Sequence, residues 1–216
     1  MTIKPILFNT EMVRAILDGR KSCTRRVVKF PVNRYTNNVP LADKVVLQEL
    51  RCDKANFLEK PFFSFGMNLP YQPGDILYVR ETFIQAAAHT FWYKADDKSW
   101  MSKDLLWKPS IHMPKEAARI WLKVADVRVE RLQEITEEQA CMEGTDPWDE
   151  ACYENNGWHP TLSDPDSGGN PNMIDGFHKL WDSTIKKNDL DRYGWNTNPW
   201  VWVIEFEQCE KPKEEN

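Results

Sequence analysis

Gly19-Arg20-Lys21-Ser22-Cys23-Thr24-Arg25-Arg26 stands where one kind of sequence pattern gives way to another, and the fold is read outward from it. On its N-terminal side Met12, Val13, Ile16 and Leu17 recur at helical spacing behind Asn9 or Thr10 as N-cap. Gly19 falls where a left-handed residue ends such a helix. On the other side Cys23 to Phe30 reads as a strand, with the basic pair Arg25 and Arg26 near its start. Lys21 and Thr24 therefore leave one helix–strand turn and can point into one cleft. A lysine is a useful base only where burial or a nearby cation lowers its pKa, and a threonine hydroxyl is a useful nucleophile only beside such a base. The residues alone leave two readings open: that pair, and a basic, solvated turn.

Further along, Pro73-Gly74-Asp75 signals a turn, and Ile76 to Ile84 reads as a buried strand that carries Arg80 and Glu81. Phe91 to Lys94 supplies a hairpin partner, and 97–118 reads as loop. Arg119 to Leu132 alternates apolar and polar residues with the period of a strand. Thr136-Glu137-Glu138-Gln139 matches a capping box, which predicts a short helix to about Met142 ended by Gly144. Ile174, Phe177, Leu180, Trp181 and Ile185 make an amphipathic helix, and Trp200 to Phe206 a last hydrophobic strand. Strands outnumber helices and no β-α-β alternation occurs, so the expected fold is α+β, a mixed or closed β-barrel with short flanking helices. Residues 31–72 and 146–172, rich in Asn, Asp, Pro and charge, are expected to be insertions outside the barrel, the second the more mobile.

With 216 residues, 41% of them hydrophobic, the chain suffices for one well-buried core, so a single domain over 1–209 and a charged tail over 210–216 are expected. No apolar run reaches membrane-spanning length and the start does not read as a signal peptide, which points to the cytosol. Five cysteines without a C-x-x-C pair read as reduced thiols, and four scattered histidines write no local metal site. A net charge of −5 argues against a protein that coats nucleic acid nonspecifically. The charge is nevertheless segregated: residues 1–34 hold eight basic side chains against two acidic ones, whereas 134–154 hold eight carboxylates and no Lys or Arg. Two readings stay open here as well, a site with separated signs and two solvated faces.

The chain resembles the ASCH domains, which are similar to the RNA-binding PUA domains. The pattern G-x-K-x-x-[TE]-x-R after a short helix falls on Gly19, Lys21, Thr24 and Arg26. The resemblance extends over Pro5-Ile6-Leu7-Phe8, Gly74 to Thr82, Ser110 to Pro114, Val127 to Leu132, Ala140 to Gly144, and Gly194-Trp195 to Glu205. In this it looks like the larger ASCH-type proteins of bacteriophages and prophages, which implies a PUA-like mixed barrel in a bacterial host cytoplasm. It also implies an activity, because a compact bacterial ASCH protein is an N4-acetylcytidine amidohydrolase that needs no cofactor. Carried over, Lys21 would be the proton acceptor, Thr24 the nucleophile and Glu143, after the Ile135-Thr136-Glu137 run, the proton donor. A carboxylate in a last helical turn faces the negative end of the helix dipole, which favours its protonated form.

Further candidates surround these three. Arg20, Arg25 and Arg26 are placed to hold phosphates, and Trp195, between Gly194 and Asn196, to stack on a base; with ten tryptophans in the chain, others are expected in the core. His112 reads either as an acid, base or base-edge contact or as a satisfied loop histidine. Glu81 reads either as a second carboxylate of the site or as a structural partner of Arg80, Arg25 or Arg26. The expected partner is RNA or a modified nucleoside, acted on or only bound, with a host protein as the rival.

Overall fold

The computed structural model describes residues 1–29, 69–88, 90–96, 105–145 and 173–212. In chain order these form β1 (Ile3–Leu7), α1 (Thr10–Leu17), β2 (Cys23–Val27), β3 (Ile76–Arg80), β4 (Phe83–Ala87), β5 (Thr90–Tyr93) and β6 (Trp121–Arg131). Then follow α2 (Glu137–Met142), α3 (Met173–Thr184), the single turn α4 (Leu190–Tyr193) and β7 (Trp200–Cys209). Five strands make one sheet in the order β1-β3-β6-β7-β2, and β4 and β5 form a separate hairpin. Only β1 and β3 run parallel, which makes the fold a mixed α+β one.

The 200–204 half of β7 reads as an unbroken apolar run because both of its faces are covered. Trp202, Ile204 and Phe206 pack with Ile6, Val13, Ile16, Leu77 and Leu122 in the main core. Val201 and Val203 meet Leu132, Ala140, Phe177 and Trp181 beneath α2 and α3. The expected start of α1 holds: the Asn9 side chain accepts from the Met12 N–H at 2.8 Å. At its other end Gly19 has φ +74°, and the N–H groups of Arg20 and Lys21 both donate to the Ala15 carbonyl. Leu17 leaves the expected stripe and stands 44% exposed.

The structure departs from the sequence reading in several places. The expected strand Ile76 to Ile84 is two strands in different sheets. At the break the Glu81 N–H donates to the Met113 sulfur, and its carboxylate is held by Arg119, so the chain is tied to the 105–120 segment instead of the ladder. β1 was not foreseen because it contains Pro5. It is an edge strand, and since the Thr2 carbonyl and the Phe8 N–H both bond β3, alternation turns the ring nitrogen of Pro5 outward, where no donor is needed.

A closed barrel was one expectation, but among the described residues β1 and β2 remain unpaired edges. They come close, and Arg26 Nη2 reaches across to the Leu7 carbonyl at 2.8 Å. The expected insertion 146–172 lies outside the described residues, as does 31–72 apart from 69–72, where Leu69 and Tyr71 pack on the main core. Among the described residues no helix is long and apolar enough to cross a membrane.

Asp75, in the turn before β3, ties the N-terminus to the sheet. Its carboxylate accepts from the Thr2 N–H and hydroxyl, from Lys4 Nζ at 2.9 Å and from the Gln72 N–H. Burial alone would raise its pKa, but these donors outweigh burial and bring it from 3.8 to about 2. The folded-state value is the depressed one, so the contribution is complete above about pH 4, shrinks as the pH falls and is gone below about pH 2. Its size is about 2 kcal/mol. Urea melts of the protein and of Asp75→Asn from pH 6 to pH 2 should show a stability difference that closes over that window; a constant difference would refute the assignment.

Candidate active site

The helix–strand turn after α1 lies against the C-terminal end of α2. Lys21 and Glu143 form an isolated antiparallel bridge, and the Ser22 N–H donates to the Met142 carbonyl at 2.9 Å. The approach depends on Gly144, which has φ +77° and a position where a Cβ would sit 2.7 Å from Ala15 Cβ and 2.9 Å from Lys21 Cβ. α2 is aimed by its capping box, in which Thr136 accepts from the Gln139 N–H and the Gln139 side chain returns to the Thr136 N–H.

Within this contact Lys21 is buried, its side chain 1% exposed. Its ammonium donates to the Cys23 carbonyl at 2.6 Å, the Glu143 carbonyl at 2.8 Å and Glu143 Oε2 at 2.8 Å, so all three donors are used. Glu143 Oε1 accepts from Arg25 Nη1 at 3.1 Å. Arg25 Nη2 continues to Gln139 Oε1 at 2.9 Å and to Glu130 at 3.5 Å, so the group that caps α2 also orients the arginine. Burial pushes the Lys21 pKa below its ordinary 10.5, and the Glu143 carboxylate opposes that shift. Burial, with the same carboxylate in support, raises the Cys23 thiol to about 12, which leaves it protonated and unreactive.

A cleft of about 300 Å³ opens at this cluster. Lys21, Thr24, Arg25, Arg26 and Glu143 line one side, Leu7, Phe8, Asn9 and Met12 another, and the Phe177–Thr184 part of α3 closes it. The cleft thus occupies the gap between the two edges of the sheet. Thr24 is buried opposite Ile204 of β7, and among the described residues no hydrogen bond reaches its hydroxyl. Lys21 and Arg26 lie 5.6 and 5.4 Å from the centre of the Phe8 ring.

Of the residues singled out by sequence, Lys21, Thr24, Glu143, Arg25 and Arg26 meet in this cleft, and four others do not line it. Arg25 is not a free phosphate ligand: its side chain is fully buried and committed to Glu143, Gln139 and Glu130. Arg20 points to Asp18 and the Gly144 carbonyl. Glu81 is buried in a two-bond pair with Arg119, at 2.9 and 3.1 Å, and with none of the three arginines named for it. His112 is exposed on a single turn, Ser110–His112, away from the cleft lining. Trp195 packs instead of waiting for a base, with its ring stacked on His178 at 5.0 Å and edge-on to Phe177.

Sequence reasoning missed Phe8, Gln139 and the α3 wall. Phe8 and Gln139 each sit in a motif that was read for another purpose, and α3 reaches the cleft only through tertiary packing. Among the described residues no three His, Cys, Asp or Glu side chains gather as a metal site.

No protein-family model matches the sequence, and no curated protein matches it. Among solved structures the chain is similar to the ASCH domain from Lactobacillus crispatus JV V101, at 10% sequence identity and a TM-score of 0.39, over 96% of this chain and 79% of that one. At that level of similarity the reading of the site rests on its own residues.

Gly19 and Gly144 give a matched test of how tightly the turn is packed. Both have positive φ, but a Cβ at Gly19 meets nothing within 4 Å. Gly19→Ala should therefore cost only the left-handed penalty, about 1 kcal/mol. Gly144→Ala should cost a further 1–3 kcal/mol, roughly, for the overlap with Ala15 and Lys21. Equal midpoints in urea would show that the contact relaxes freely.

Proposed function

We propose that the protein is an ASCH-type amidohydrolase of the PUA-like group, which takes a nucleoside, free or in RNA, into the cleft and removes an acyl group from its exocyclic amine. N4-acetylcytidine is the substrate that the sequence resemblance implies, and the cytoplasm of a bacterial host is where it would act. The observation that carries the reading is the meeting of a Thr24 hydroxyl, unpartnered among the described residues, with a buried Lys21–Glu143 pair in one cleft.

The pair supplies base and acid together. Moving one proton along the 2.8 Å contact from Lys21 Nζ to Glu143 Oε2 gives a neutral amine and a carboxylic acid. Low dielectric brings this neutral form closer in energy to the ion pair than it is in water. Once the neutral amine turns its lone pair from Glu143 toward the threonine, Thr24 Oγ1 attacks the acyl carbon as Lys21 takes the hydroxyl proton, and Glu143 protonates the departing amine. The C–N bond breaks and an acyl-threonine ester remains. Water hydrolyses that ester to the free acid, and the protons return to their starting places. Arg25 holds Glu143 from the side away from Lys21, which fixes the carboxylate for this transfer.

A module that only binds RNA receives less support. Arg25 is consumed internally and Arg26 is engaged with the Leu7 carbonyl, so the basic run does not form a free phosphate track.

Incubation with N4-acetylcytidine, followed by chromatography, should show cytidine and acetate. Lys21→Ala, Thr24→Ala and Glu143→Gln should each lower turnover on the order of a hundredfold or more, and far from additively in combination. Thr24→Ala is the decisive variant, because its hydroxyl supports nothing in the fold and melting should stay near that of the parent. A Thr24→Ala protein of unchanged rate would sink the nucleophile assignment, and the absence of hydrolysis for any acylated nucleoside would sink the activity.

A further inference from the structure

β2 is an edge strand, and its register determines which backbone groups face away from the sheet. The Phe206 N–H donates to the Ser22 carbonyl, and the Val28 N–H donates to the Trp200 carbonyl. By alternation Ser22, Thr24, Arg26 and Val28 bond β7, while Cys23, Arg25 and Val27 turn their N–H and C=O groups outward. The outward Cys23 carbonyl is taken by Lys21 Nζ. Among the described residues nothing reaches the N–H or C=O of Arg25.

These two groups lie along the cleft. Thr24 and Arg26 point to one face of β2 and Arg25 to the other, yet all three line the same space, which places that space along the strand edge. We infer that the Arg25 backbone is a base-reading element: its N–H donates to the 2-carbonyl of a pyrimidine, and its C=O accepts from the 4-amino N–H. This rests on the nucleoside reading above and adds to it the backbone group that tells a cytosine-type base from uracil. Cytosine offers an acceptor at position 2 and a donor at position 4, and an N4-acylated cytosine keeps one N–H there. Uracil offers acceptors at both positions, which would leave the Arg25 carbonyl buried against another acceptor. Phe177, Leu180 and Trp181 give the apolar wall that a base plane needs. An added peptide strand would need several consecutive outward groups, but Lys21 has already closed off Cys23 and the volume is that of one nucleoside.

The test uses the full chain labelled with 15N and titrated with cytidine, uridine and the ribonucleoside of 2-pyrimidinone, which keeps the 2-carbonyl and lacks the 4-amino group. Cytidine should move the Arg25 amide proton downfield more than any other amide of β2. Uridine and the pyrimidinone should bind about tenfold more weakly or worse, the cost of an unpaired buried polar group. If cytidine binds while the Arg25 amide stays in place, or if all three ligands bind alike, the inference is overturned, and hydrolysis of N4-acetylcytidine in the same preparation would leave the amidohydrolase reading intact. If no pyrimidine nucleoside binds and none is deacylated, both fall together.

Discussion

The Glu143 carboxylate accepts from Lys21 on one oxygen and from Arg25 on the other, in a part of the protein where neither cation has water to turn to. Removing one member of such a cluster leaves the others unbalanced in a low dielectric, at a cost of about 3–5 kcal/mol for a broken buried pair. Much else follows from keeping it intact. The α2 cap must present Gln139 to Arg25, Gly144 must let the helix end reach α1, and the turn into β2 must place Lys21 and Arg25 on either side of the carboxylate. Beyond Arg25 the signs continue to alternate through Glu130, Arg128 and Glu205 toward solvent. Lys21 and Arg25 of the basic N-terminal segment thus meet Glu143 of the acidic 134–154 segment as partners in one buried ion-pair cluster.

What could be read from the sequence was local. The α1 cap, the α2 capping box and the left-handed Gly19 and Gly144 each depend on a few neighbouring residues, and each was found where expected. β6 was legible from its period and β7 from its apolar run for the same reason, and the helix–strand turn that carries Lys21 and leads to Thr24 was legible from the pattern around Gly19.

The failures were nonlocal. Pro5 conceals β1 unless its edge position is known, and the split at Glu81 depends on Arg119 and Met113, both far along the chain. Whether a curved sheet closes is a property of all its strands together. Arginines in a basic run look alike in sequence, yet Arg25 is fully buried while Arg20 lies at the surface, and only the strand face decides which. Trp195 begins a single turn between α4 and β7 and still packs, half-buried, against the core, because His178 and Phe177 come from a helix that no spacing rule could bring to it.

The strand order has a consequence for how the protein comes into being. β2, which carries Thr24 and Arg25, pairs among the described residues with β7 alone, so Cys23 waits for Glu205 and Thr24 for Ile204. A nascent chain emerging N-terminus first has Thr24 early and the strand that seats it late. A partial translation product that stops before β7 therefore has no sheet partner for β2 among the described strands, and its Thr24 remains in water until synthesis has passed β7.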